Sequence, residues 1–168
     1  MWILQVIMLT NFDLEKLCHE YKVPIHAVVM KNELPPKVKD GNYIVNLQSS
    51  TQGDGTHWTG LIVEKKNALF FDPFGAEPSQ EIVDFIKKRK DCTLGYTSRD
   101  IQDLTSHNCG YFCLAFLLHL KDCTDLFDAA NEFVNTFDNI SKNNDIRLGD
   151  VFRAKGGKIS PLIRRLWK

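Results

Sequence analysis

Apolar positions along the chain change period several times, and each change marks an element. Over residues 11–21, Leu14, Leu17, Cys18 and Tyr21 fall on one face at helical spacing, and Thr10 or Asn11 supplies the cap. Pro24 and the Leu34-Pro35-Pro36-Lys37 stretch then mark irregular backbone. Residues 43–48, Tyr-Ile-Val-Asn-Leu-Gln, read as a strand, and residues 49–56, with Gly53 and Gly55, as a flexible turn-forming loop. Trp58 to Val63 and Ala68 to Asp72, separated by Lys65-Lys66-Asn67 and ended by Pro73 and Gly75, read as an antiparallel hairpin. Residues 79–89 predict a helix with Ile82, Val83, Phe85 and Ile86 inward, and residues 92–98 a short strand. The run Tyr111 to Leu120 is apolar almost all round, as a helix in the middle of a core is. It is far shorter than the ~20 residues a bilayer crossing needs. Strands cluster in the centre of the chain with helices on both sides, so the fold class is α+β, a central mixed β-sheet flanked by helices.

The length of 168 residues suits one domain over 1–168, with an apolar N-terminal extension (1–7) and a basic C-terminal tail (about 153–168). A net charge of zero gives no global field toward nucleic acid or membrane. Charge is uneven, however: Lys155, Lys158, Arg164, Arg165 and Lys168 crowd the tail, and no acid accompanies them. Five cysteines are an odd number without a CxxC pair, which speaks against a zinc knuckle and against a disulfide framework; no metal is expected. The apolar start lacks a basic n-region and a small-residue cleavage site, so the expectation is a soluble, intracellular chain.

Four positions could carry chemistry. Cys109 sits in Ser106-His107-Asn108-Cys109-Gly110, a polar turn running into the buried helix. A thiol at a helix N-terminus is in one of the settings that favour the thiolate. The alternative is a small apolar residue at the end of a core helix, which is also the reading for Cys113 and Cys123. His57 opens a strand after a Gly-rich loop, where its ring can reach the rim of a cleft or simply lie on a surface loop. Asp72, between two phenylalanines and Pro73-Phe74, should be partly buried and need a partner; the alternative is an Asx-turn before proline. His57 begins one hairpin strand and Asp72 ends the other, so the two are expected side by side, as a base and its orienting acid must be. Gln102 lies seven residues before Cys109 and could reach over it as an oxyanion donor, or be a solvated loop residue.

The ordered strings Gly55-Thr56-His57-Trp58, Phe70-Phe71-Asp72-Pro73-Phe74-Gly75, Gln102 and Asn108-Cys109-Gly110-Tyr111-Phe112 resemble the adenovirus-type cysteine protease family (adenain). That family has relatives in virophages, Polinton-like elements and other double-jelly-roll DNA viruses, and lies within the SUMO-protease superfamily. The resemblance covers roughly residues 10–122. The Pro-Phe-Gly after the acid and the spacing of seven between Gln102 and Cys109 favour the adenovirus branch. The apolar start, the short segment after the nucleophile helix and the tail from about Ile146 depart from its pattern.

The resemblance implies an adenain/Ulp-like, papain-related fold with the nucleophile at the start of the buried central helix. It implies His57 as base, Asp72 as orienting acid, Gln102 as oxyanion donor and Cys109 as nucleophile. The implied activity is a viral maturation endopeptidase that cleaves capsid or core precursors after Gly in Gly-Gly-like sites. Trp58, beside the base, would narrow the groove, and Gly110 would let substrate backbone come close. No cofactor is implied for the chemistry, but an activating viral peptide or DNA is, with Cys92 as the candidate for a disulfide to that peptide. The basic tail is a candidate nucleic-acid contact, and Gly156-Gly157 within it a candidate self-processing site, against a packed amphipathic helix as the alternative. The protein is expected to be a monomer without membrane contact, found in host cytoplasm or nucleus and packaged in virions. Alternatives on the same residues are a SUMO- or ubiquitin-like protein protease, an acyltransferase and a non-catalytic binding module.

Overall fold

The structure, a computed structural model, describes residues 8–153. The expectations for the extension 1–7 and for the tail beyond Arg153, including Gly156-Gly157, lie outside the described residues.

Five strands form one sheet in chain order: β1 (Ala27–Met30), β2 (Gly41–Asn46), β3 (Trp58–Glu64), β4 (Asn67–Phe71) and β5 (Thr93–Tyr96). The outer pairs β1–β2 and β4–β5 are parallel and the two inner pairs antiparallel, so the sheet is mixed. Around it lie α1 (Asn11–Glu20), α2 (Gln80–Lys87), α3 (Cys109–Leu120), α4 (Leu126–Asn135) and α5 (Ser141–Arg153). The class is α+β, as the order of elements implied.

Alternation along the strands sorts the core into two layers. Ile44, Ile62, Leu69 and Phe71 pack with α1, α3 and α4 on one face. Tyr43, Val45, Leu61, Val63, Ala68 and Phe70 pack with Ile82, Phe85 and Ile86 of α2 on the other. A sheet covered on both faces has no solvent side, which explains why β3 and β4 read as continuous apolar runs. Helix α3 lies across β3 at Gly60. A Cβ there would touch Phe116 at 3.4 Å and Phe71 at 3.7 Å, and those two rings stack at 4.3 Å. Alanine fits that gap; the second and third methyls of a larger residue do not. Gly60→Val is expected to destabilise by about 1–3 kcal/mol and Gly60→Ala much less, as read from the midpoints of urea unfolding.

Three elements have no counterpart in the pattern read from the sequence. Strand β1 is four residues long between proline-rich stretches. Helix α4 is capped by Asp125, whose side chain accepts from Asp128 N–H, and buries Leu126, Ala130, Phe133 and Val134. Helix α5 is mostly polar and sends Leu148 into the core. Where the predicted strand 43–48 runs on, β2 stops at Asn46: one more cross-strand bond follows, from Leu47 N–H to the His57 carbonyl, and Gln48 N–H then turns back onto the Asn46 side chain.

Candidate active site

Two turns and a helix end meet above the sheet. The loop expected to be flexible is tied down. Asn46, fully buried, accepts from Gln48 N–H at 2.9 Å and Thr56 N–H at 3.2 Å, and Gln48 Oε1 accepts from Gly55 N–H at 2.8 Å. These bonds deliver His57 to the start of β3. The neighbouring strand β4 ends at Phe71 and is followed by Asp72, whose carbonyl accepts Gly75 N–H in a tight turn. Gly75 has φ of +71°, and a Cβ on it would lie 2.6 Å from the Ser98 carbonyl oxygen, so the turn packs directly on the loop that follows β5.

Asp72 is 1% exposed. Its Oδ1 accepts from His57 Nε2 at 2.8 Å and from Phe74 N–H at 2.8 Å, so it is partner to the histidine and Asx-turn acceptor at once. The pairing is not the flush cross-strand contact expected. Gly60 stands opposite Phe71, a register that carried onward would set Phe74 opposite His57. The Phe74 ring does stack on the imidazole, at 4.7 Å between centroids. Asp72 reaches the ring on the diagonal instead.

With Nε2 held by Asp72, the other ring nitrogen is left for Cys109, which lies close enough to help stabilise the charged ring. Burial works against the charged ring, but the hydrogen bonds to Asp72 and Cys109 and the negative charge beside it outweigh that, and the His57 pKa rises from 6.5 to about 9. The Cys109 Sγ also accepts from Trp58 N–H at 3.4 Å. One turn on, the Cys113 thiol, pushed well up by burial, donates to the Trp58 carbonyl at 3.4 Å. The two cysteines of α3 therefore grip one residue of β3 at both ends.

Gln102 is buried, and its Nε2 donates to the Ser106 carbonyl at 3.2 Å and hydroxyl at 3.0 Å. Its Oε1 is buried without a hydrogen-bond partner among the described residues. The side chain is thus tied to the loop before Cys109, and turning an N–H toward a substrate oxygen means exchanging one Ser106 bond for it.

A histidine beside a buried carboxylate, with a thiol at a helix start near it, is a set of groups that nucleophilic catalysis can use. No protein-family model matches the chain, and no curated protein does. Among solved structures, the ASFV pS273R protease superposes with a TM-score of 0.51 at 12% identity, over 83% of this chain and 65% of that one. The chain shares its fold with that protease. It spans about two thirds of the length of the ASFV protease. AvrA, solved with IP6 and CoA, is similar at a TM-score of 0.48 and 17% identity over 93% of this chain and 66% of its own.

Within this protease-like fold two expected substrate contacts face inward. Trp58 is 2% exposed in the core, and its indole N–H donates to the Leu9 carbonyl at 2.7 Å. Gly110 is buried against α1: a Cβ there would lie 3.1 Å from both Leu14 and Leu9. The tryptophan thus anchors the segment before α1 rather than walling a groove, and the glycine allows α1 to pack on α3. Cys92 packs on the α2 face of the sheet, opposite the face that holds Cys109, and burial raises its pKa. The five cysteines are all free thiols. Among the described residues no helix is long and apolar enough to cross a membrane, and no cluster of His, Cys, Asp or Glu suits a metal ion.

Sequence reasoning missed Phe74, Ser106 and the α5 residues Asn144 and Asp145 as parts of this region. Phe74 and Ser106 lie inside the strings already singled out. Asn144 and Asp145 sit in a polar helix with no motif around them.

Proposed function

We propose that the chain is a cysteine endopeptidase that hydrolyses peptide bonds through an acyl-enzyme at Cys109. The observation that carries this reading is the His57 ring held by Asp72 Oδ1 at 2.8 Å, with Cys109 at the start of α3 favouring its charged form from beside it. Attack needs a thiolate beside an imidazolium, and the raised His57 pKa supports a ring that keeps its proton at neutral pH. The sulfur adds to the scissile carbonyl carbon, and the Cys109 N–H with the Gln102 amide receives the oxyanion. Collapse breaks the C–N bond as His57 passes its proton to the leaving amine. Water then adds to the thioester, with His57 taking one of its protons, and collapse breaks the C–S bond to release the acid product and restore the thiolate beside the protonated ring.

The substrate class follows from access. Cys109 is 2% exposed, and its histidine is shielded by Phe74. A chain without side chains reaches such a sulfur most easily, which supports cleavage after glycine in Gly-Gly-like sites. The substrates we assign are capsid or core precursor polypeptides, on the resemblance to adenovirus-type proteases and on the fold shared with the ASFV pS273R protease. An activating peptide or DNA belongs to the same reading.

A peptide vinyl ester ending in Gly-Gly tests it: the thiolate adds to the vinyl carbon and leaves a stable thioether. Labelling is expected at Cys109 alone, found by peptide mapping, and an Ala-Ala probe is expected to react at least ~10-fold more slowly, the scale of a few misplaced atoms in a tight site. Label elsewhere, or equal rates for the two probes, overturns the nucleophile or the glycine selection respectively.

A further inference from the structure

Resting on that reading of Gln102 and Cys109, we infer that α5 positions the oxyanion side of the site, with Asn144 and Asp145 holding the chain on both flanks of Gln102 and Asp145 also holding the residue before Cys109. Asn144 is fully buried, and its Nδ2 donates to the Ile101 carbonyl at 3.1 Å and to the Asp138 carbonyl at 2.9 Å. Its Oδ1 accepts from Asp138 N–H at 2.8 Å, so every bonding group of that amide is used. Asp145, next in the helix and 7% exposed, accepts from Asp103 N–H at 2.6 Å with Oδ2 and from Asn108 Nδ2 at 2.9 Å with Oδ1. Consecutive side chains thus grip the backbone at 101 and at 103, and one carboxylate closes the base of the 103–108 loop.

The other side of Gln102 is fixed by the acid's turn. The N–H groups of Ile101 and Gln102 donate to the Pro73 carbonyl at 2.9 and 3.2 Å. Gln102 is therefore set between the residue after Asp72 and the two α5 side chains.

The bond to Asn108 has a second consequence. Asn108 stands at the N-cap of α3, where an asparagine ordinarily turns its side chain back onto the first turn of the helix. Here it makes no cap hydrogen bond, because its amide is directed to Asp145. The first turn of α3 thus takes no side-chain cap from Asn108, whose amide instead ties the residue before Cys109 to α5.

Asp145 touches no reacting atom; it is a positioning residue. Asparagine at 145 keeps the size but turns an N–H toward one of the two donors, so one hold is lost. For Asp145→Asn, kcat on a Gly-Gly amide substrate is expected to fall about 10- to 100-fold with KM within about 3-fold, the effect of a misplaced oxyanion donor. Alkylation of Cys109 by iodoacetamide forms no oxyanion, so its rate is expected to stay within about 3-fold of wild type. A Gln102→Ala change made in the Asp145→Asn background is expected to lose less than Gln102→Ala alone, because both act on one donor. An unchanged kcat overturns the inference. So does a parallel fall of hydrolysis, alkylation and unfolding midpoint, which marks a purely structural residue. Asn144→Asp, which swaps donors for an acceptor facing the Ile101 carbonyl, is expected to repeat the split between hydrolysis and alkylation. A wild-type protein that shows no Cys109-dependent hydrolysis at all sinks the protease reading, and the inference with it.

Discussion

Cys109→Ala is expected to abolish turnover, by ~10⁴-fold or more as for other lost nucleophiles, while the protein keeps its fold. The sulfur has a structural contact to lose: Trp58 N–H donates to it at 3.4 Å. A buried N–H left unpaired costs about 1–3 kcal/mol, so a modest drop in unfolding midpoint accompanies the loss of activity. Cys113 supplies the control. It lies one turn further along α3, fully buried, and donates to the carbonyl of the same Trp58. It hydrogen-bonds no histidine, and burial holds its thiol well above the ordinary range. Cys113→Ala is therefore expected to lose stability comparably and to keep turnover within a few-fold. The two alanine variants, compared by kcat and by unfolding midpoint, separate packing from chemistry. A Cys109→Ala protein that still cleaves, or a Cys113→Ala protein equally dead at full stability, reverses the assignment.

What the chain discloses before folding depends on how local the signal is. The hairpin, the α3 run and the strings around His57, Asp72 and Cys109 are local, because periodicity and turn residues lie within a few positions of each other. That is why β2 to β5 and α1, α2 and α3 are found within a few residues of their places. The side chains that hold the site are not local. Asp145 is 42 residues from Asp103 and 37 from Asn108, and Asn144 is 43 from Ile101. In the sequence these are unremarkable polar residues of a helix with little apolar face. Direction was hidden too. Trp58 next to the histidine and Gly110 next to the cysteine look like groove residues by adjacency. Trp58 is the first residue of β3 and follows it into the core, while His57, the last residue of the loop before it, keeps its ring at the rim beside Asp72. Gly110 is the first residue after the nucleophile in α3, on the side that Leu9 and Leu14 occupy.

Asp72→Asn is expected to lower kcat/KM by ~10²–10⁴-fold and to move its basic limb to lower pH. The substitution is conservative in shape: the amide oxygen can still accept from His57 Nε2 and from Phe74 N–H, both of which use Oδ1 now. What goes is the negative charge that steadies the imidazolium against burial. In the wild type the His57 pKa is raised from 6.5 to about 9. The active form carries the proton, so activity falls as pH rises through about 9. Without the charge, burial dominates and the proton leaves at lower pH, so the variant loses activity earlier on the alkaline side. Stability follows the same linkage. A group whose folded pKa lies above its unfolded value contributes in full below the unfolded pKa, and the contribution is lost as pH rises through the folded one. Wild-type unfolding free energy is expected to decline between pH 6.5 and about 9, with a flatter profile in Asp72→Asn over that window. Rate profiles on a Gly-Gly amide substrate and urea unfolding, taken across the same pH series, read both effects. A basic limb that stays in place in the variant, at an unchanged rate, leaves Asp72 as a turn residue whose carboxylate merely accepts Phe74 N–H.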